Sequence, residues 1–137
     1  ADGVALIWSI AAGEVVQQLD IHTIRGKHRS VRVLPSGDRV ITGVSDLADD
    51  PAVVWNATDG RPLHALVHAG EKITALEISP CGERLGAAGF ERISVWDLAT
   101  GDLQRVFARP EEAFWGEAWY APMGVAISTA GVKVVGR

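Results

Sequence analysis

The chain has 137 residues, 47% hydrophobic and 22% charged, with a formal net charge of −4, which is apolar material enough for a packed core in one globular domain. That acidic balance supplies no global field to draw it to nucleic acid or anionic lipid, and no apolar run approaches the roughly 18 residues of a membrane span. The single cysteine, Cys81, excludes an internal disulfide framework and fits a reducing, cytoplasmic setting.

In chain order, Asp2-Gly3 is a turn signal, and alternation predicts strands over Val4 to Trp8 and Glu14 to Leu19 around a turn at Ala11-Ala12-Gly13. His28 to Leu34 reads as the next strand, with Val31 and Val33 on one face. Pro35-Ser36-Gly37-Asp38 turns the chain into a strand over Arg39 to Val44. An insertion, Ser45 to Pro51, precedes a strand over Ala52 to Trp55, and Pro62 to Val67 follows as an outer strand, where proline is tolerated at an edge. The pattern then repeats. Lys72 to Ser79, a turn at Pro80-Cys81-Gly82-Glu83, Arg84 to Ala88, Ile93 to Asp97 and Leu103 to Phe107 supply four strands. Trp115 to Ala121, Val125 to Thr129 and Val132 to Val135 supply three more. No helical period is visible.

The organising phrase is Ile93-Ser94-Val95-Trp96-Asp97-Leu98-Ala99-Thr100-Gly101. It occurs earlier as Val53-Val54-Trp55-Asn56-Ala57-Thr58-Asp59-Gly60 and as Ala5-Leu6-Ile7-Trp8-Ser9-Ile10-Ala11-Ala12-Gly13, so Trp8, Trp55 and Trp96 lie 47 and 41 residues apart. The turn prolines Pro35, Pro80 and Pro122 keep similar offsets of 45 and 42, and Val135 stands 39 residues after Trp96. A period of roughly 40–45 residues built on a Trp-Asp phrase marks four-stranded propeller blades.

Over nearly its whole length the chain therefore resembles the WD-repeat β-propeller family. The resemblance implies an all-β fold, a partial WD-like β-propeller of four-stranded antiparallel blades, two complete and two partial. Residues 1–20 would be the last two strands of a blade, 21–67 and 68–107 complete blades, and 108–137 the first three strands of another. It also implies a polar network, with a His before the inner strand, a Ser or Thr on the second and an Asp shortly before the third. Asp2 and Asp49 lie six residues before Trp8 and Trp55, as that Asp should, while Phe90 holds the place in the third unit. His22 and His68 are placed for the histidine. In function it implies a non-enzymatic protein–protein interaction scaffold or sensor segment of a larger protein. The alternative is an accessory propeller segment of an enzyme whose NTPase, kinase or protease domain lies outside this chain.

No nucleophile–base spacing, metal set or phosphate loop is recognisable, so no hydrolase, transferase or redox activity and no cofactor are expected. His64 and His68, four apart on a strand and its exit, would sit about 13 Å apart at ~3.3 Å per residue, too far to share an ion. Asn56-Ala57-Thr58 matches a glycosylation sequon, which is read as chance. Two clusters are binding candidates. His22, Arg25, Lys27, His28, Arg29 and Arg32 lead into one strand, and the acidic insertion Asp46, Asp49, Asp50 should open on the same propeller face. Arginine forks suit carboxylates and phosphates, so this face would take an acidic or phosphorylated peptide. The competing reading is that the two loops neutralise each other in solvent. Trp115 and Trp119 share one strand face and are either a partner hot spot or packing between blades. A glycan-binding role would need such a pair in every blade, and only one has it.

The chain opens with Ala, not Met, and enters mid-blade, which suggests a processed product or a piece of a longer protein. Unpaired edges at both ends predict that it is not a closed monomer. The rest of the propeller is expected from the same polypeptide, another subunit or copies of itself.

Overall fold

A computed structural model describes residues 4–21, 28–44, 47–68, 70–108, 124–128 and 131–135. The fold is all-β. Among the described residues twelve strands, β1 (Val4–Ser9), β2 (Glu14–Asp20), β3 (Ser30–Val33), β4 (Arg39–Gly43), β5 (Ala52–Asn56), β6 (Pro62–Leu66), β7 (Ala75–Ile78), β8 (Arg84–Ala88), β9 (Arg92–Asp97), β10 (Leu103–Ala108), β11 (Gly124–Ser128) and β12 (Gly131–Val135), follow one another in chain order. They form antiparallel sheets β1-β2, β3-β4-β5-β6, β7-β8-β9-β10 and β11-β12. These are two complete four-stranded blades flanked by two partial ones, and no ring closes among the described residues.

Alternation within each strand sends successive side chains to opposite sheet faces, and both faces of the middle sheets are used. From the second sheet, Leu34, Ile41, Ala52, Val54 and Leu66 meet Ile73, Leu76, Leu85, Ala87, Trp96 and Leu98 of the third in the main core. The intervening residues Val40, Val53 and Trp55 turn the other way and pack on Leu19, Ala5 and Ile7 of the first sheet. Burying each such Leu or Val stabilises the stack by about 1.5–3 kcal/mol. On the far face of the third sheet, Ala75, Ala88 and Ile93 form a smaller cluster, and β11 lies against β7 and β8.

The repeated phrase has a local physical job. Asn56 Oδ1 accepts from the backbone N–H of Thr58 at 2.8 Å, Asp97 Oδ1 accepts from Ala99 N at 2.8 Å and Thr100 N at 3.0 Å, and Ser9 Oγ accepts from Ala12 N. Those contacts, that of Thr100 first, hold the Asp97 carboxyl below its ordinary value. So the residue after each tryptophan caps the turn into the outer strand. Gly13, Gly60 and Gly101 close those turns at φ of 70°, 73° and 78°, a region open to glycine at no steric cost.

A second repeated feature is not visible in the hydropathy pattern. Opposite each tryptophan the outer strand carries one extra residue: Val16 between the partners of Ile7 and Trp8, Leu63 between those of Val54 and Trp55, and Gln104 between those of Trp96 and Val95. Each is a β-bulge, which increases local twist.

Candidate functional site

The chemistry-bearing side chains of the two complete sheets gather into two buried columns. In the second sheet Thr42, on β4, projects from the face that meets the first sheet. Its Oγ1 accepts from Trp55 Nε1–H at 2.9 Å and lies 2.8 Å from His28 Nδ1. His28 Nε2 in turn faces Asp50 Oδ2 at 3.5 Å, both side chains being 1% exposed. An acidic side chain facing Nε2 favours the tautomer with the proton on that nitrogen, which leaves Nδ1 to accept from the Thr42 hydroxyl. Burial pushes the His28 imidazole below its ordinary value, against the pull of Asp50.

The third sheet repeats the column with one part moved. Alanine, Ala87, stands where Thr42 stood, and the hydroxyl comes from Ser94 on β9, directly opposite Ala87 in register. His68 Nδ1 lies 2.8 Å from Ser94 Oγ, and its ring meets Trp96 edge-on at 6.3 Å. Glu71 takes the place of the acid. Its Oε2 accepts from Glu91 N at 2.8 Å, and its Oε1 lies 3.9 Å from Arg92 Nε. Burial lowers the His68 imidazole, and the Glu71 charge opposes that shift. A Cβ at Gly89 would run into both the His68 ring and the Glu71 carboxylate, so the column leaves room only for glycine there.

These columns correct the expected placements. The histidine on Thr42 is His28, not His22, and the acid facing it is Asp50, one residue beyond Asp49. Asp49 Oδ1 instead accepts from Gly70 N at 2.9 Å, and its own N–H reaches Glu71 O. Of the charged cluster, His28 and Asp50 thus point into the protein, whereas Arg29 and Asp49 are exposed. Arg29 N donates to Gly43 O and Val44 O, which sets the entry to β3 beside the start of the acidic insertion. Val44, just before that insertion, and Asp49, within it, take φ of 62° and 61°, an outlying conformation for the β-branched Val44. Arg32 pairs with Glu77 of the next sheet at 3.7 Å. His22, Arg25, Lys27, Asp46, Trp115 and Trp119 lie outside the described residues. His64 is half-buried beside Gly101 and His68 is bonded to Ser94, so the two histidines do not converge.

Ser94, Glu71 and Gly89 are the participants that spacing missed. The signal for Ser94 was available in the register, because a hydroxyl one strand over from an alanine reaches the same place. No group of three potential metal ligands occurs among the described residues, and no described helix is long and apolar enough to cross a membrane. No known family model matches the chain.

Proposed function

We propose that the chain is a segment of a WD-repeat propeller that works as a cytoplasmic, non-enzymatic protein–protein interaction scaffold. The observation that carries this reading is the division of labour among polar residues. The side chains of His28, Asp50, Thr42, His68 and Ser94 are buried, where they act as fasteners, while the exposed charges Arg29 and Asp49 sit on loops at the strand ends. Fastened sheets with charged loops are built to present a surface. The left-handed Val44 and Asp49 support a preformed loop, since strain of order 1–3 kcal/mol persists only where the surroundings hold it.

The partner is an acidic or phosphorylated peptide, taken by Arg25, Lys27 and Arg29. The experiment is a peptide array with acidic and phosphorylated sequences, followed by titration of the hits against the parent chain and a variant with Arg25, Lys27 and Arg29 all changed to Ala. Binding should weaken at least tenfold and lose its salt dependence, while thermal stability stays within a degree or two. Loss of stability in place of loss of binding would make those side chains structural and end this reading.

A further inference from the structure

Glu71 stands where three loops meet. Its N–H donates to His68 O at 3.0 Å, and its carbonyl accepts from Asp49 N at 3.3 Å. Gly70 N returns that contact by donating to Asp49 Oδ1 at 2.9 Å. The acidic insertion of the second sheet is thereby clasped to the entry of the third. The Glu71 side chain meanwhile holds the β8-β9 turn, its Oε2 accepting from Glu91 N at 2.8 Å. A carboxylate on a backbone N–H makes a charge-assisted bond, stronger than a neutral one.

That carboxylate has a second claimant. His68 Nε2 and Glu71 Oε1 are buried and have no hydrogen-bond partner among the described residues. Glu71 Oε2 and His68 Nε2 lie 2.4 and 2.5 Å from the place a Cβ on Gly89 would take, so a side chain missing from glycine is what separates them. The Glu71 carboxylate and the Arg92 carbonyl favour a charged His68 ring, and the Arg92 guanidinium opposes one. Ser94, on the other ring nitrogen, is neutral, and the Asp49 carboxylate is turned to the Gly70 amide. The second column differs. Asp50 faces His28 Nε2, but neither of its oxygens holds an amide among the described residues, so a charge on His28 has no loop to release.

We propose that the third column is an acid-released clasp: when both His68 nitrogens carry protons, the Glu71 carboxylate turns from Glu91 N to His68 Nε2–H, and Asp49 and Gly70 are let go. A buried charge needs an ionic partner, and Glu71 is the acid within reach. Backbone amides released at exposed loops can turn to water. The sheets stay packed through their apolar core, so the loops open without unfolding. Burial holds the ring below its ordinary 6.5, which places the release beneath that pH. The clasp makes no use of Arg25, Lys27 or Arg29, so this inference and peptide recognition can each fail alone.

The test follows the His68 ring and backbone amide exchange, corrected for its intrinsic pH dependence, in the isotope-labelled full chain. Protection of the Asp49, Gly70 and Glu91 amides should fall about tenfold as the ring charges, while β4 and β8 amides keep theirs. His68→Gln retains a hydrogen-bonding side chain that cannot charge, and the three amides should stay protected at the same pH. Glu71→Gln keeps an acceptor for Glu91 N. Loss of its charge should lower the His68 titration by about one pH unit, and the release should move with it. Three results would overturn the proposal: the three amides still protected once the ring is charged, release at an unchanged pH in either variant, or loss of β4 and β8 protection in the same step.

Discussion

The second and third sheets use the same buried column and build it from different strands. In the second, Thr42 on β4 serves both His28 and Trp55. In the third, the hydroxyl has crossed to Ser94 on β9 and serves His68, while alanine fills the vacated place. What persists is therefore a location in space, with a histidine on one side and a tryptophan nearby, and not a residue at a fixed point of the repeat. The difference also sorts the two columns energetically. Thr42 holds two buried partners and Ser94 holds one.

Removing the hydroxyls should expose that asymmetry. Thr42→Val keeps shape but strands Trp55 Nε1–H and His28, each left unpaired in the core. At about 1–3 kcal/mol per unsatisfied group, the loss should be near 3 kcal/mol in urea unfolding. Gly89→Ala, by forcing His68 and Glu71 apart, should cost about 2 kcal/mol, in the range of core overpacking. Ser94→Ala should cost less, about 1–2 kcal/mol, because it strands His68 alone. The sharper test adds Ala87→Ser to Ser94→Ala. That moves the hydroxyl back to the second strand at constant volume and should recover all but a few tenths of a kcal/mol, on the scale at which independent changes stop being additive. No recovery would mean that the two positions are not interchangeable. Asp97→Ala, which removes an exposed turn cap, should have the smallest effect of the set.

Much of this architecture was legible in the chain. Pro35 and Pro80 lead their turns as expected, with Gly37 and Gly82 at φ of 75° and 76°, and every described strand overlaps an expected one. The Trp-Asp phrase ends the third strand of both complete sheets. What failed was placement to within one residue or one strand. Asp50 was displaced from Asp49 by the insertion after Val44, whose path spacing cannot count. His28 was overlooked in favour of His22 because it reads as part of a strand, and the strand begins only at Ser30. The bulges at Val16, Leu63 and Gln104 left no hydropathy signal, since an extra outward residue on an outer strand disturbs no buried face. Exposure of Val31 and Val33 was hidden too, because alternation predicts which side a residue faces but not whether anything lies there.

The columns also set the response to acid. Both imidazoles lie below their ordinary value of 6.5 in the folded protein, so the unfolded chain binds more protons just below that pH. Their stabilisation is complete above about pH 6.5 and falls as the pH drops from there toward the folded values, by at most about 1.4 kcal/mol per pH unit for each histidine. His28→Gln should remove one histidine's share of that slope.

If His28 and His68 are neutral fasteners within the buried columns, imidazole nitrogen NMR across a pH titration will show it. Both rings should be neutral at pH 7 and titrate below 6.5, with His28 protonated on Nε2 and its Nδ1 shifted by the Thr42 hydroxyl. Rings that titrate at 6.5 or above, or a His28 ring unaffected by Thr42→Val, would contradict the account.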